Sequence, residues 1–378
     1  MLFTSDGFRR SIRRRPAMYI GDTTVSGKSR LVESLFMLGV MGARDSRLRE
    51  VSAALSSDGA CSVVFDGLPW PTPAGVPPFA ELESWLTFVN VDIAGGPPPR
   101  MPHGLFLQTP CIDLGLVNAL SSSLEVIAWS GEQTWRRTFR EGLPVESLGD
   151  ASPDHAPPSS GSGLRITLTP DPSIFDGPQE FSWTGLTERL SALSALAPSA
   201  TWRLRDEVSG TEVSFRREHG LGDLCAERAA SSRPLHEPWV FNGRIRETEV
   251  DLALQWVEDP AGASILSWAN FESSPRGGTH HEGLFRGLRT VLRDRRKALG
   301  LPPVSRAFSN TALSERLTVV MSLRSCSIVW RGPMFHPLDT PEARGDISKL
   351  VRDWMKLALE SHPDVEARLL GLLGFPRS

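Results

Sequence analysis

From Leu31 to Met41 the apolar residues Leu31, Val32, Leu35, Phe36, Leu38, Val40 and Met41 return at intervals of three and four, the period of a helix lying on a core. No ionisable side chain interrupts Ser34 to Ala43. The next stretch, VSAALSSDGACSVVFDG, alternates around a turn at Ser57–Gly59 and predicts a β-hairpin. Leu116–Ile127 predicts a helix end and a strand, Thr134–Arg140 and Leu164–Thr169 strands, and Phe181–Leu196 an amphipathic helix. Trp202–Arg205 and Thr211–Phe215 read as a hairpin around Ser209–Gly210. Two proline-rich passages, LPWPTPAGVPPF and GGPPPRMPHG, flank a predicted helix near Glu81–Leu86, and SPDHAPPSSGSG has the composition of a loop.

A second series begins near His219. Thr248–Trp256 and Ser264–Asn270 predict strands, Gly283–Leu299 a long helix, Leu313–Ser325 a helical turn and strand, and Ile347–Glu360 a closing helix. Strands alternating with helices predict two α+β domains, residues 1–218 and 219–378, with residues 1–12 as a short polar arm.

Composition narrows the classes. A chain of 378 residues buries two cores, and a net charge of −3 gives no case for a generally basic nucleic-acid binder. No apolar run approaches the ~18 residues of a membrane span, and MLFTSDGFRRS is too polar for a signal peptide. Cys61, Cys111, Cys225 and Cys326 form no CxxC pair, which predicts reduced thiols in a cytoplasmic protein. His280–His281 and the scattered His103, His155 and His336 lack metal-ligand spacing, so no metal is expected. GDTTVSGKS ends like a phosphate-binding P-loop at Lys28–Ser29, but Gly21 and Gly27 are one residue too far apart.

RRRPAMYIGDT is very similar to the RKRPGMYIGDT opening of the gyrase B protein and its topoisomerase IV counterpart, relatives of the Hsp90, MutL and histidine-kinase ATPases. Further gyrase-B-like stretches follow in the family's order: LVNALSSSLEV at Leu116, GLRITLTPDPSIF at Gly163, VDLALQW at Val250 and PRGGTHHEGLFRGLRTVL at Pro275. The resemblance implies an Hsp90-like ATPase-type α/β sandwich followed by a transducer domain like ribosomal protein S5 domain 2. It runs out where those two domains end in the family, so the DNA-cleaving part is expected to be absent. The family's longer arm crosses to a partner protomer, and a shorter arm argues against that exchange.

Carried over by position, the resemblance implies a degenerate nucleotide site. The family's general base falls on Ser34, with Glu33 one residue away as the substitute, and its magnesium-binding asparagine falls on Leu38. The aspartate that reads the adenine amino group falls on Phe65, with Asp66 and Gly67 retained beside it. The glycine-rich phosphate loop is replaced by LQTPCID, leaving Gly104 as its nearest relic, and Asn118 begins the retained NALS turn. Gly163 is kept, but the threonine after it is Leu164. The transducer lysine that meets the γ-phosphate has no counterpart among Leu338, Asp339 and Thr340. Thr279 reads as a helix N-cap with Glu282 three residues on.

Five losses together favour a pseudo-ATPase without a cofactor, a paralogue that modulates or protects a gyrase or topoisomerase subunit, or DNA topology, by binding. An alternative is a divergent ATP-hydrolysing subunit of a type II topoisomerase, using Mg·ATP with Glu33 as base. A third is a binder of a small hydrophobic gyrase inhibitor, on an apolar pocket of Phe65, Leu38 and Leu164 with Arg136 at a coumarin-contacting position. Arg286, Arg289, Arg293 and Arg296 form a basic stripe at helical spacing, a candidate DNA contact set against the plainer reading of a solvated face. A homodimer is a further candidate assembly, and no membrane partner is expected.

Overall fold

The computed structural model describes residues 5–43, 48–68, 86–87, 114–145, 149–150 and 161–374, apart from residues 132, 179, 199, 261, 263, 303–307, 326 and 332–336 within those ranges. The chain divides into two compact units, Met1–Glu218 and His219–Ser378.

In the first unit, helices α1 (Ser5–Arg14), α2 (Ala17–Ile20) and α3 (Val25–Ala43) precede β1 (Glu50–Leu55) and β2 (Cys61–Asp66). Then come α4 (Leu114–Ala119), β3 (Ser121–Ser130), β4 (Gln133–Arg140), β5 (Leu143–Pro144), β6 (Gly149–Asp150), β7 (Ser162–Pro170), α5 (Trp183–Leu196), β8 (Thr201–Asp206) and β9 (Glu212–Phe215). The strands form one sheet in the order β5-β4-β3-β7-β2-β1-β8-β9, with β6 paired to β4. Antiparallel pairing dominates, and β1–β8 is parallel.

Strand alternation gives this sheet two unlike faces. Val51, Val63, Phe65, Val126, Ile166, Leu168, Trp202 and Leu204 are buried on one. The other carries Glu125, Arg136, Arg165 and Arg203, some in cross-strand pairs such as Arg136 Nε donating to Glu125 Oε1 at 2.6 Å. Helix α3 lies on the apolar face. A Cβ on Gly39 would come within 2.6 Å of Val51 and 2.9 Å of Trp202, so this glycine lets helix and sheet approach closely.

The predicted polar arm is instead largely helix α1. Asp6 pairs with Arg9 and Arg10 one turn on, which supports the helix locally. Ile12 is fully buried, and Arg9 donates to the Glu141 carbonyl at 2.8 Å. Arg13 donates to the Ala119 carbonyl at 2.9 Å and to Asp171 at 2.5 Å. The first arginine of RRRP is therefore a packing latch.

The second unit contains α6 (Leu221–Ala229), β10 (Trp239–Ile245), β11 (Thr248–Trp256), β12 (Ser264–Ala269), β13 (Glu272–Ser273) and α7 (Thr279–Ala298). It closes with α8 (Asn310–Ser314), β14 (Leu317–Arg324), α9 (Pro341–Ser361) and α10 (Pro363–Gly374). Its sheet runs β10-β11-β14-β12-β13. Val250, Leu252, Leu254, Val319, Met321 and Leu323 of the sheet meet Leu284, Leu288, Val291 and Leu292 of α7 and Ile347, Val351 and Met355 of α9. The helix predicted to close the chain is thus followed by another, whose Leu369, Leu370 and Leu373 join the same core. Helix α6 and strand β10 carry only weak sequence signals: LGDLCAERA is short, and β10 is half-exposed throughout.

The glycine pair before α7 corrects the predicted cap. Gly278 holds the N-cap position at φ 136°, and no side chain caps the helix. The Thr279 N–H instead donates to the Leu338 carbonyl at 2.9 Å. A Cβ at Gly278 would lie 2.0 Å from that oxygen, so a glycine is needed there.

Candidate functional site

The site positions fall on a helix column and a strand row. Ser34, Leu38 and Gly42 recur every four residues and share one face of α3. A Cβ on Gly42 would lie 2.1 Å from Leu68 Cδ1, so this column faces the end of β2. On the sheet, Phe65 of β2 is the register partner of Leu164 of β7, which is in turn the partner of Ala128 of β3. Phe65 is fully buried, and Leu38, Leu164 and Ala128 are almost so. The structure therefore brings together four of the predicted positions, Ser34, Leu38, Phe65 and Leu164, as a largely hydrocarbon surface.

The nearby polar groups are occupied elsewhere. The Ser34 hydroxyl donates to the Arg30 carbonyl at 2.9 Å, the backward bond usual for a helical serine. Glu33 lies about 100° around the helix from Ser34, and its carboxylate stands 3.9 Å from Arg189 of α5. Arg189 also donates to Met37 Sδ at 3.5 Å, so Glu33 and Met37 form a second column turned toward α5. That helix packs on β8 and β9, not on the β2–β7 row. Alternation turns Asp66 to the opposite sheet face from Phe65, and Arg49 binds it with two bonds of 2.9 and 2.8 Å. The hydrogen bond to Asp66 raises the Arg49 guanidinium further above its ordinary value.

The retained family positions are structural supports. Asn118 is buried, and its Nδ2 donates to the Leu86 carbonyl at 2.8 Å and the Gly142 carbonyl at 3.3 Å. Gly67 turns the chain out of β2 at φ 83° and donates to the Ser162 carbonyl at 2.9 Å. Asp22 organises the start of α3, accepting from the Thr24 N–H, the Thr24 hydroxyl and the Gly27 N–H. Burial pushes its carboxyl up, but these donors together outweigh burial and hold it below the usual range. Lys28, the lysine of the P-loop-like string, is buried inside α3 and donates to the Pro178 carbonyl. Burial lowers its ammonium, against the opposing charges of Asp176 and Glu180.

Gly163 is constrained from the other sheet face. A Cβ there would meet the Trp129 ring at 2.0 Å and the Phe65 carbonyl at 2.7 Å. Gly163→Ala is expected to destabilise the first unit by about 1–3 kcal/mol, as overpacking does. Urea denaturation monitored by tryptophan fluorescence checks this, and an unchanged midpoint would rule out the steric argument.

The remaining positions scatter. Gly104 and the rest of the phosphate-loop segment, the helix predicted near Glu81, His103, His155, His336, Cys111 and Cys326 lie outside the described residues. Leu338 is buried and bridged to Gly278 and Trp330, Asp339 is paired with Arg331 at 2.8 Å, and Thr340 accepts from the Val329 N–H. The basic stripe is one of three rather than four. Arg286 and Arg293 are exposed and Arg289 half-exposed, but Arg296 is buried, donating to the Pro302 and Leu370 carbonyls. Its position has drifted to the packed side of α7, where α10 supplies an acceptor. Sequence spacing could not reveal this, because the acceptor lies 74 residues away. Among the described residues no cluster of three or more His, Cys, Asp or Glu is arranged to hold a metal, and no helix is long and apolar enough to cross a membrane.

Beside the glycine pair, His280 and His281 both direct Nε2 at the Ser267 hydroxyl, at 2.9 and 2.8 Å. Burial lowers His281 to about 4 and His280 well below its ordinary 6.5, the latter also opposed by its neighbour's charge. Burial similarly lowers His236 to about 4. These rings stay neutral in the folded chain down to about pH 4, whereas the unfolded chain takes up their protons below about 6.5. Stability is therefore complete above pH 6.5 and is lost as pH falls toward 4, by about 1.4 kcal/mol per pH unit per histidine. Guanidinium midpoints of the second unit at pH 7.5, 6 and 5 are expected to fall in that order, and a flat profile would contradict the neutral-histidine cluster.

Comparison with known proteins reaches the whole of this architecture. The family profile described as DNA gyrase B matches residues 220–373. The mitochondrial DNA gyrase B protein of Arabidopsis thaliana is 28% identical over 362 residues, covering 94% of this chain and 49% of that protein. The chain thus spans about half the length of the curated relatives it matches. The gyrase B protein from Myxococcus xanthus superposes with a TM-score of 0.81 at 26% identity, over 97% of this chain and 99% of that one. The 43K ATPase domain of Thermus thermophilus gyrase B, solved with an aminocoumarin, gives 0.76 at 23% identity, over 97% and 93% of the two chains. This likeness bears out the expected two-part fold. It overturns the expectation that the chain takes no cofactor, because the same architecture is that of an ATPase domain.

Proposed function

We propose, for a chain that is an ATPase-plus-transducer region of the DNA gyrase B and topoisomerase IV B type, that it acts as a divergent ATP-binding component of a type II topoisomerase system. The observation that carries this is the likeness to gyrase B over both units, at a TM-score of 0.81. Fold alone does not supply chemistry, so the fit of Mg·ATP rests on the residues. The Leu38–Phe65–Leu164 surface offers a base van der Waals contact. It has no side-chain partner for the adenine amino edge, and leucine has no oxygen for a hard cation. These residues fit a nucleobase as an apolar wall; they do not fit magnesium.

Isothermal calorimetry with Mg·ATP and a non-hydrolysable analogue, extended to millimolar ligand, tests the reading. Magnesium-dependent binding supports it, and absence of heat and thermal shift up to that concentration sinks it.

A second reading has its own support in Ser34, whose hydroxyl is turned back to Arg30. In it the chain binds nucleotide, hydrolyses it slowly and modulates a topoisomerase partner by association. Pull-down with a topoisomerase cleavage subunit, with and without nucleotide, separates the two. We also propose that Arg286, Arg289 and Arg293 contact DNA phosphates. Removing all three is expected to lower the salt dependence of DNA binding by about three counterions.

A further inference from the structure

We infer that the wall formed by Phe65, Leu164, Ala128 and Leu38 accepts a nucleobase by shape alone, so that the site binds adenine and guanine nucleoside triphosphates without choosing between them. The inference rests on the nucleotide-binding reading above and deepens it.

Adenine and guanine are similar flat rings that differ at their polar edges. Adenine presents a donor where guanine presents an acceptor, and guanine adds further donors. A site tells them apart only by placing a matching donor or acceptor, and a mismatch then leaves buried groups unpaired. Such sites discriminate by roughly 10⁴–10⁵, whereas apolar walls discriminate by about 10–200 even against a change of size.

Every polar side chain that could have served this row is committed. Phe65 and Leu164 stand opposite each other as strand partners and continue into Ala128, so the row is carbon throughout. The backbone amides and carbonyls beneath it belong to the β2–β7 and β3–β7 ladders. Asp66, the carboxylate nearest in sequence, points to the opposite face and is held by Arg49. Glu33 is turned to Arg189, and Asn118 Nδ2 is spent on two carbonyls. On the helix column, Ser34 donates to Arg30 and Leu38 has nothing to donate. The wall is hydrophobic and about the right size, which lets a base in but does not name it.

The test is equilibrium competition among Mg·ATP, Mg·GTP and Mg·ITP on the full chain. ITP shares guanine's carbonyl but lacks its amino group, so it separates the two edge differences. The three dissociation constants are expected to agree within tenfold, and a spread greater than tenfold overturns the inference. Failure of all three to bind overturns the nucleotide reading itself, a distinguishable result. Leu164→Thr places a hydroxyl in the middle of the row with strand propensity kept. It is expected to open a preference of at least fivefold among the three, and an unchanged ratio would show that the base does not meet this wall.

Discussion

Steady-state hydrolysis of Mg·ATP is expected to run about 10²–10⁴-fold below that of a gyrase-B-type ATPase with a positioned general base, measured side by side. A base must accept a proton from water within hydrogen-bond reach of the reacting centre. Serine has no basic group near neutral pH, and the Ser34 hydroxyl already donates to Arg30. The neighbouring carboxylate does not substitute. Glu33 stands on a different helix face, 3.9 Å from Arg189, with Met37 below it on the same column. Bringing it to the Ser34 position would take a turn of about 100° and would drag the apolar face of α3 out of the core. Glu33→Gln is therefore expected to change the rate by less than twofold, at a small cost in stability from the weakened contact with Arg189. A rate comparable to the reference ATPase that Glu33→Gln abolishes would reverse the assignment and make Glu33 the base.

The second large effect is structural. Glu366→Ala is expected to destabilise the second unit by about 3 kcal/mol, near the lower end of what breaking a buried ion pair costs. Arg295 of α7 meets Glu366 of α10 with two bonds, 2.6 and 3.0 Å, and donates to Glu360 at 2.5 Å. The Glu366 side chain is only 5% exposed and that of Arg295 16%, so its loss leaves a guanidinium largely out of water. The hydrogen bonds from Glu366 raise Arg295 further above its ordinary range, so it cannot shed its charge instead. Glu360 remains as a partial partner, which keeps the effect below the upper end of the range. The contrast is Arg344–Glu282, where both side chains are half-exposed; removing Arg344 is expected to cost less than about 1 kcal/mol. Chemical denaturation of the two variants should separate clearly, and equal losses would count against burial as the cause.

The same helices mark the reach of local pattern. Nothing around Glu366 in the sequence sets it apart from a solvated charge, because its value depends on a partner 71 residues earlier. Arg296 reads as an exposed charge because spacing along α7 places it near Arg293. A helix advances about 100° per residue, so a run of three, four and three drifts around the axis, and only the packing of α10 decides where exposure ends.

Local pattern was enough to establish the order of most elements, the two-part architecture and the residue types at each site position. Its signals are the period of α3, the alternation of β1 and β2, and the motif strings that carry the family likeness. That Phe65 and Leu164 share one row also follows from alternation once the strands are paired. Packing between distant segments settled which groups remain to do chemistry. It turned Glu33 to Arg189 and Asp66 to Arg49, spent Asn118 on carbonyls, made an arm into a packed helix and let the Leu338 backbone cap α7 in place of a side chain. Each is a contact between residues distant in the chain, or a choice between two faces that periodicity leaves equivalent. A pattern says which residues lie together on a face; only the neighbour across the gap says whether that face is satisfied.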